Sequence, residues 1–198
     1  MSATQVRMAR PEAVRIARAF VDRIDDCCET LVVAGSLRRR LAWVGDVEIV
    51  AVPKLEPVTL DLLGEEIQYL DRLDGRLFAL LEDGVVEQRL DRHGAPRWGP
   101  ALKYLTFQDV PIDLFSPSAE RAGWILLLRT GPAAFSRQLV VERGRRTKDG
   151  RPGLLPSTVL PRDGWLTWRV SGERIPTLTE RDAFDALGLP HTDPWERT

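Results

Sequence analysis

Asp46, Glu48 and Asp113 are the residues whose types and surroundings can do chemistry, and that chemistry is metal-assisted phosphoryl transfer. Asp46 lies ten residues after Ser36, in the run Gly45-Asp46-Val47-Glu48-Ile49-Val50. The segment from Val44 to Val52 is apolar in the manner of a strand. Side chains alternate between the faces of a strand, so Asp46 and Glu48 emerge together while Val47 and Ile49 point into a core. Ahead of them, Val33-Ala34-Gly35-Ser36-Leu37-Arg38-Arg39 reads as a strand running into a Gly-Ser turn. Backbone N–H groups in such a turn can lie against phosphate oxygens. Two carboxylates beside a phosphate-cradling turn are the beginnings of a Mg²⁺ site for a nucleoside triphosphate. Two-metal transfer needs a third carboxylate, to bridge the ions and activate the attacking oxygen. Asp113 in Val110-Pro111-Ile112-Asp113-Leu114-Phe115 is the candidate, because Val110, Ile112 and Leu114 share one strand face and leave Asp113 on the other.

The elements that must position these residues follow from periodicity. Apolar residues three to four apart predict an amphipathic helix from Pro11 to Glu29. Strands are expected over Thr30–Ala34 and Gly45–Val52, a short helix within Pro57–Leu70, and a second helix with a strand within Leu73–Leu90. A strand pair over Ala101–Phe107 and Val110–Phe115 turns tightly at Gln108-Asp109. Helices follow over Ala119–Arg129 and Ala133–Arg143, then a hairpin of Trp165–Val170 with Arg174-Ile175. Thr179 and Asp182 predict a capping arrangement for a last helix, Glu180–Leu187. The expected class is α/β (α+β), a mixed β-sheet backed by helices in residues 1–118 and a small C-terminal lobe in 119–198.

Composition narrows the function classes. With 43% hydrophobic and 29% charged residues the chain is of ordinary globular type. It has no apolar stretch of membrane-spanning length and no secretory leader, so no membrane partner is expected. The adjacent Cys27 and Cys28 suit neither a disulfide framework nor a zinc site, which by default predicts a reduced, cytoplasmic setting. A net charge of −1 conceals asymmetry. Arg129–Arg174 holds ten basic against four acidic residues, or +6, and Leu55–Ala95 four against ten, or −6. The basic half favours a polyanionic partner. His93 and His191 are isolated from any candidate nucleophile, which argues against a hydrolase triad. Trp98, Trp124, Trp165 and Trp168 are read as core residues first; Trp165 and Trp168, three apart on a strand, face opposite ways.

At these residues the chain resembles the nucleotidyltransferase superfamily and, more narrowly, the family X or polymerase beta-like DNA polymerases. Gly35-Ser36-Leu37-Arg38-Arg39 and Gly45-Asp46-Val47-Glu48 are similar to its Gly-Ser and Gly-Asp-x-Asp motifs. Thr130-Gly131, seventeen residues after Asp113, looks like its Thr-Gly-Ser turn, and Phe135 and Arg137 fit the family pattern just beyond that turn. Thr179 to Pro190 resembles its C-terminal element. The resemblance runs from about residue 11 to the end and is weakest over Leu55–Arg97.

It implies a nucleotidyltransferase palm using two Mg²⁺ ions, with Mn²⁺ able to substitute. The implied metal ligands and catalytic residues are Asp46, Glu48 and Asp113, with Asp113 helping to activate a primer 3′-hydroxyl. Gly35, Ser36 and Arg39 would hold the triphosphate, Arg129 would reach a phosphate or the primer backbone, and Gly131 and Ser136 would meet the sugar and base. Arg143, Arg145, Arg146 and Lys148 are the expected nucleic-acid backbone contacts. The implied partners are a nucleoside triphosphate and a DNA or other nucleic-acid primer, and the implied role is gap filling or DNA repair.

Departures from the pattern carry expectations of their own. Glu48 replaces the usual Asp and keeps the charge. Leu128 and Arg129 stand where the family carries an aromatic pair packing on the sugar, implying weak discrimination against ribonucleotides. Pro111 replaces a basic residue that would position the third carboxylate. Only about ten residues precede the first predicted helix, implying a minimal form without the helix-hairpin-helix lyase domain. Two other readings stay open: transfer to a non-DNA acceptor such as tRNA, a protein hydroxyl or a small molecule, and a non-catalytic nucleic-acid-binding module.

Overall fold

The apolar spacing of Ala13, Ile16, Ala17 and Phe20 gives α1 (Arg10–Val21) one buried face, and that face lies against the main sheet. The structure is a computed structural model, and it describes residues 7–59, 67–91 and 93–197. A small pair, β1 (Met8–Ala9) with β3 (Trp43–Val44), ties the start of α1 to the loop before β4. The main sheet contains β2 (Cys28–Val33), β4 (Val47–Pro53), β7 (Glu87–Gln88), β8 (Trp98–Gly99), β9 (Leu102–Phe107) and β10 (Val110–Phe115). Its order is β2-β4-β10-β9-β7, with β8 on the edge of β9. Only the β4–β10 pairing is parallel, so the sheet is mixed. Gln108 and Asp109, at φ 50° and 62°, close the β9–β10 hairpin in the left-handed geometry that matches strand twist.

One sheet face buries Val47, Ile49, Ala51, Leu105, Phe107, Ile112 and Leu114 against α1 and α3 (Arg72–Glu82). The opposite face is covered only in part: Val50 and Phe115 pack with Ala34 and with Ile125 and Leu126 of α4 (Ala122–Thr130). A further core gathers Trp124, Leu127, Leu139, Val159, Leu166, Phe184 and Leu187. It joins α4 to α5 (Ala133–Leu139), to α6 (Glu180–Ala186) and to the sheet of β11 (Val159–Arg162), β12 (Trp165–Trp168) and β13 (Arg174–Ile175). The mixed α/β class follows from these layers, with helices packed against a mixed sheet of more than five strands. No helix among the described residues is long and apolar enough to cross a membrane.

Several boundaries differ from the sequence reading. The first helix ends at Val21 rather than Glu29, because Lys54 N donates to Cys27 O and Cys28 pairs with Pro53, drawing that segment into the sheet. The turn Asp25–Cys27 and the head of β2 bury Cys27 and Cys28, both free thiols. The strand expected from Gly45 starts at Val47, leaving Asp46 just ahead of it. Where a helix was expected over Pro57–Leu70, the described residues form a hairpin of β5 (Leu55–Thr59) and β6 (Ile67–Asp71), while 60–66 lie outside the described residues. Proline cannot donate within a helix, and Val58, Ile67 and Tyr69 favour strands. The helix expected to reach Arg143 stops at Leu139, where the Gln138 carbonyl accepts from Leu154 N instead. β11 was not foreseen; the Trp165 hairpin was, and it turns at Gly172 with φ 74°.

A buried ionic cluster links these layers. After β2 the chain makes one helical turn, α2 (Gly35–Arg38), and Arg38 forks onto Glu180, with Nη1 2.8 Å from Oε1 and Nη2 2.9 Å from Oε2. Arg38 Nη1 also donates to Thr130 Oγ1 at 2.8 Å, and Arg197 Nη1 donates to Glu180 Oε1 at 2.8 Å. The Arg197 side chain is 0% exposed and that of Glu180 6%. Burial pushes the Glu180 carboxyl up, but the hydrogen bonds from Arg197 and Arg38 outweigh it and leave it below the ordinary glutamate value. The capping box predicted for α6 is present: Asp182 N donates to Thr179 Oγ1 and Thr179 N to Asp182 Oδ2. Glu180→Ala strands two guanidinium groups, one fully buried, and should cost about 3–5 kcal/mol in urea unfolding. A loss below about 1 kcal/mol would show that desolvation cancels the pairing.

Candidate active site

A cleft of about 380 Å³ opens where α2, the head of β4 and the α4–α5 junction meet. Ser36 and Arg39 line it from the α2 segment, Asp46 and Glu48 from the head of β4, and Arg129, Gly131 and Ser136 from the junction. Arg137 joins them. Residues far apart in sequence, named from the strand pattern and from the resemblance, therefore share one concavity. Gly35 sits immediately beneath, at φ +61°, where an added Cβ would overlap Glu48 Oε2. Glycine is required there twice, by backbone conformation and by contact.

Asp113 reaches the site through sheet register. β10 runs parallel to β4 with Asp113 opposite Glu48 and Phe115 opposite Val50, so the two acids lie side by side on one face. Crowding carboxylates in a half-buried site makes ionisation costly. Burial, then Asp46 and Asp113, push Glu48 up to about 7. Burial raises Asp113 to about 6 against the restraint of Arg89, with Asp46 adding and Arg129 opposing. Asp46 is also raised, by burial, with Arg89 and Arg39 acting against it.

The side chains as placed do not form a ligand set: among the described residues, no group of three acids, histidines or cysteines is gathered so as to hold a metal ion. Asp113 Oδ1 is instead engaged in an ion pair with Arg89. Sequence reasoning missed Arg89, which follows β7 in the stretch where the motifs are weakest. The missing basic residue at Pro111 was the available signal, since the charge it lacked arrives from across the sheet. Arg38 was likewise quoted within a motif and given no task, although it anchors the buried cluster.

The other expected contacts divide. Ser36 Oγ is buried and has no hydrogen-bond partner, a donor and acceptor in search of a ligand. Arg39 Nη1 donates to Thr130 O at 2.7 Å, which holds it at the cleft against the end of α4. Arg129 lies over the Phe115 ring at 4.1 Å. Ser136 Oγ donates to Leu128 O at 2.7 Å, leaving only its lone pairs for a ligand. At Gly131 a Cβ would come within 2.6 Å of Phe135 Cδ1 and 3.1 Å of Ser136 Oγ, so a side chain here would force Phe135 to shift.

Of the expected nucleic-acid contacts, Arg143 is exposed but donates to the Leu187 and Leu154 carbonyls, fastening the end of α6. Arg145 is exposed with Glu142 3.7 Å away, Arg146 donates to Gly150 O at 2.6 Å, and Lys148 is exposed. Arg145 and Arg146 line a separate cleft of about 550 Å³ together with Arg169. Trp124 and Trp165 are core residues, Trp98 meets Phe78 at a tilt with ring centroids 5.4 Å apart, and Trp168 faces outward.

A scan against protein-family models gives no match to this chain, and a search of curated proteins gives none. The functional reading therefore rests on the site itself.

The raised carboxylates give a pH signature for the metal-free chain. Between the ordinary glutamate value and about 7, the folded chain keeps the Glu48 proton that the unfolded chain has lost. Stability therefore falls as pH rises through that window. Glu48→Gln removes the liability and should melt a few degrees above wild type near pH 8, with a flatter pH profile in thermal unfolding. A variant that melts below wild type there would contradict this electrostatic account.

Proposed function

We propose that this protein is a divalent-cation-dependent nucleotidyltransferase of the polymerase beta-like kind, adding nucleoside monophosphates to a nucleic-acid 3′-hydroxyl. The fold is read as a nucleotidyltransferase palm in residues 1–118 with a nucleotide- and nucleic-acid-binding lobe in 119–198. The observation that carries this reading is the register that sets Asp113 beside Glu48, which itself lines a cleft with Asp46, Ser36, Arg39 and Gly131.

The residues fit hard divalent cations. The donors are carboxylate oxygens, two of them pushed above their ordinary range by burial and by neighbouring acids, and the neighbouring Ser36 Oγ lacks a partner. Asp46 and Glu48 would hold the nucleotide-side ion, and Asp113 would complete the second site. Bound there, Mg²⁺ or Mn²⁺ supplies charge stabilisation for the transferring phosphoryl group and eases ionisation of the attacking hydroxyl. The chain's own groups orient the reactants. Arg39, fixed by its bond to Thr130 O, and Ser36 Oγ would face the β- and γ-phosphates, and Gly131 on the cleft wall would meet the sugar. The acceptor oxygen bonds to the α-phosphorus as the bond to pyrophosphate breaks, and the hydroxyl proton departs on the Asp113 side.

One observation favours a second reading, transfer to a non-DNA acceptor. Much of the basic segment is engaged within the protein: Arg143 on carbonyls, Arg137 with Asp149, and Arg174 over Trp165.

Extension of a labelled primer, alone and across a one-nucleotide gap, tests the proposal with Mg²⁺ or Mn²⁺ and each dNTP or rNTP. Asp113→Ala should lower extension by at least about 10³-fold. Absence of wild-type extension under every condition removes the polymerase reading and leaves the alternative acceptors. In the same assay matched dNTP and rNTP should be used comparably, because Arg129 is stacked on Phe115 and no aromatic pair precedes Gly131. A several-hundredfold preference for dNTP would overturn that expectation.

A further inference from the structure

One edge of the main sheet is β2, which pairs with β4 alone. Ala34 N donates to Glu48 O at 2.8 Å, one residue past the end of the strand. Bonding alternates along an antiparallel pair, so Val32 and Thr30 also turn their backbone groups toward β4. The N–H and C=O groups of Leu31 and Val33 therefore point away from the sheet, and no segment among the described residues bonds to them. Natural edges are ordinarily blunted by charge, proline or irregular pairing. The register of β2 shifts between Cys28 and Thr30, but Thr30–Val33 is regularly paired, uncharged and free of proline.

A concavity lies on each face of this edge. On the α1 face Val33 and Leu37 line a groove of about 380 Å³ with Val14, Ala17 and Val21 of α1. On the other face Thr30 and Val32 line one of about 380 Å³ with Leu126 and Leu178. The side chains of an added strand alternate between two such concavities.

The groove on the α1 face also carries charge at its two ends. Arg10 begins α1 and Asp22 caps its C-terminus, and both line the groove. Each has the wrong sign for the helix dipole, which favours acids at the start and bases at the end. Neither forms an ion pair among the described residues. Arg10 Nε is buried without a hydrogen-bond partner. A face with a base at one end, an acid at the other and apolar residues between complements itself about a two-fold axis.

We propose that this face takes a second copy of the chain, with β2 paired antiparallel to its counterpart about a two-fold axis at Val32. Leu31 of each copy exchanges backbone hydrogen bonds with Val33 of the other, and the two main sheets become continuous. The two α1 helices run antiparallel beside the axis, which sets Arg10 of one copy opposite Asp22 of the other. Arg18 lies beside Val14 of the other copy, its stem on apolar surface and its head in water. This pairing is independent of the nucleotidyltransferase reading.

Sedimentation velocity at rising concentration tests the pairing. Wild type should pass from one-chain to two-chain mass between about 1 and 100 µM. Arg10→Glu and Asp22→Arg each replace attraction by repulsion at both ends of the face and should weaken association by at least about 10-fold. The double variant restores opposite charges and should return to within about 3-fold of wild type. Both changes suit the helix dipole, so folding is preserved. Val32 meets its counterpart in a non-hydrogen-bonded pair, where Cα atoms about 4.5 Å apart allow a disulfide. Val32→Cys should therefore cross-link to itself under copper–phenanthroline, while Ser171→Cys, on the β12–β13 turn, should not. A wild type that stays a single chain at every concentration overturns the proposal and leaves the edge to a strand of another protein. A two-chain mass that the charge variants do not lower, a double variant as weak as the singles, or an absent Val32→Cys cross-link also overturns it.

Discussion

The parallel pairing of β4 with β10 is the constraint on which the site depends. Parallel neighbours cannot be joined by a tight turn, so the chain must leave β4 at Pro53 and return in the same direction at Val110. The intervening segment builds the β5–β6 hairpin, α3 and the outer strands, and α3 and the outer strands add to the sheet or its cover. Because side chains alternate, a slip of one residue would turn Asp113 into the core and expose Ile112 or Leu114. Burial of those two at 0% exposure is therefore what fixes the acid beside Glu48. The apolar residues of β10 position its single carboxylate.

Two consecutive arginines divide the work of joining that sheet to the rest. Arg38 points to the buried Glu180 and Thr130 Oγ1, and Arg39 to Thr130 O, so both grip the last residue of α4 from different sides. The next residue is Gly131, on the cleft wall. Opening the cleft would break these half-buried hydrogen bonds and the ion pair to the buried Glu180, which ties this wall to the sheet. The acids on the floor show the reverse arrangement: their mutual repulsion is left unrelieved except by Arg89, Arg39 and Arg129.

The sequence made most of the site legible because its signals were local. Alternation over Val110–Phe115 placed Asp113 and Phe115 on one face, and the buried Ile112 and Leu114 on the other agree with that reading. The Gln108-Asp109 turn and the Thr179–Asp182 cap were likewise written in short-range chemistry. What escaped was set by partners distant in sequence. Cys28 looks helical until Pro53 pairs with it, and Arg143 looks like a free basic residue until α6 presents its carbonyls. Arg89 belongs to the same kind: nothing near it announces that Tyr104 and Asp113 will be its neighbours. The β5–β6 hairpin misled through composition, since leucine and glutamate suit a helix while Pro57 and the β-branched residues decide otherwise.

The paired thiols at the head of β2 have a practical consequence. Cys27 and Cys28 are 2% and 6% exposed, and burial pushes the Cys28 thiol up to about 12, with Cys27 also raised. Only a thiolate attacks an alkylating reagent, and these two stay protonated and enclosed at neutral pH. The native pair is therefore expected to react slowly with maleimides. A single cysteine introduced at the surface can carry a fluorophore without first removing the natural pair, leaving the sheet edge intact for distance measurements across the cleft.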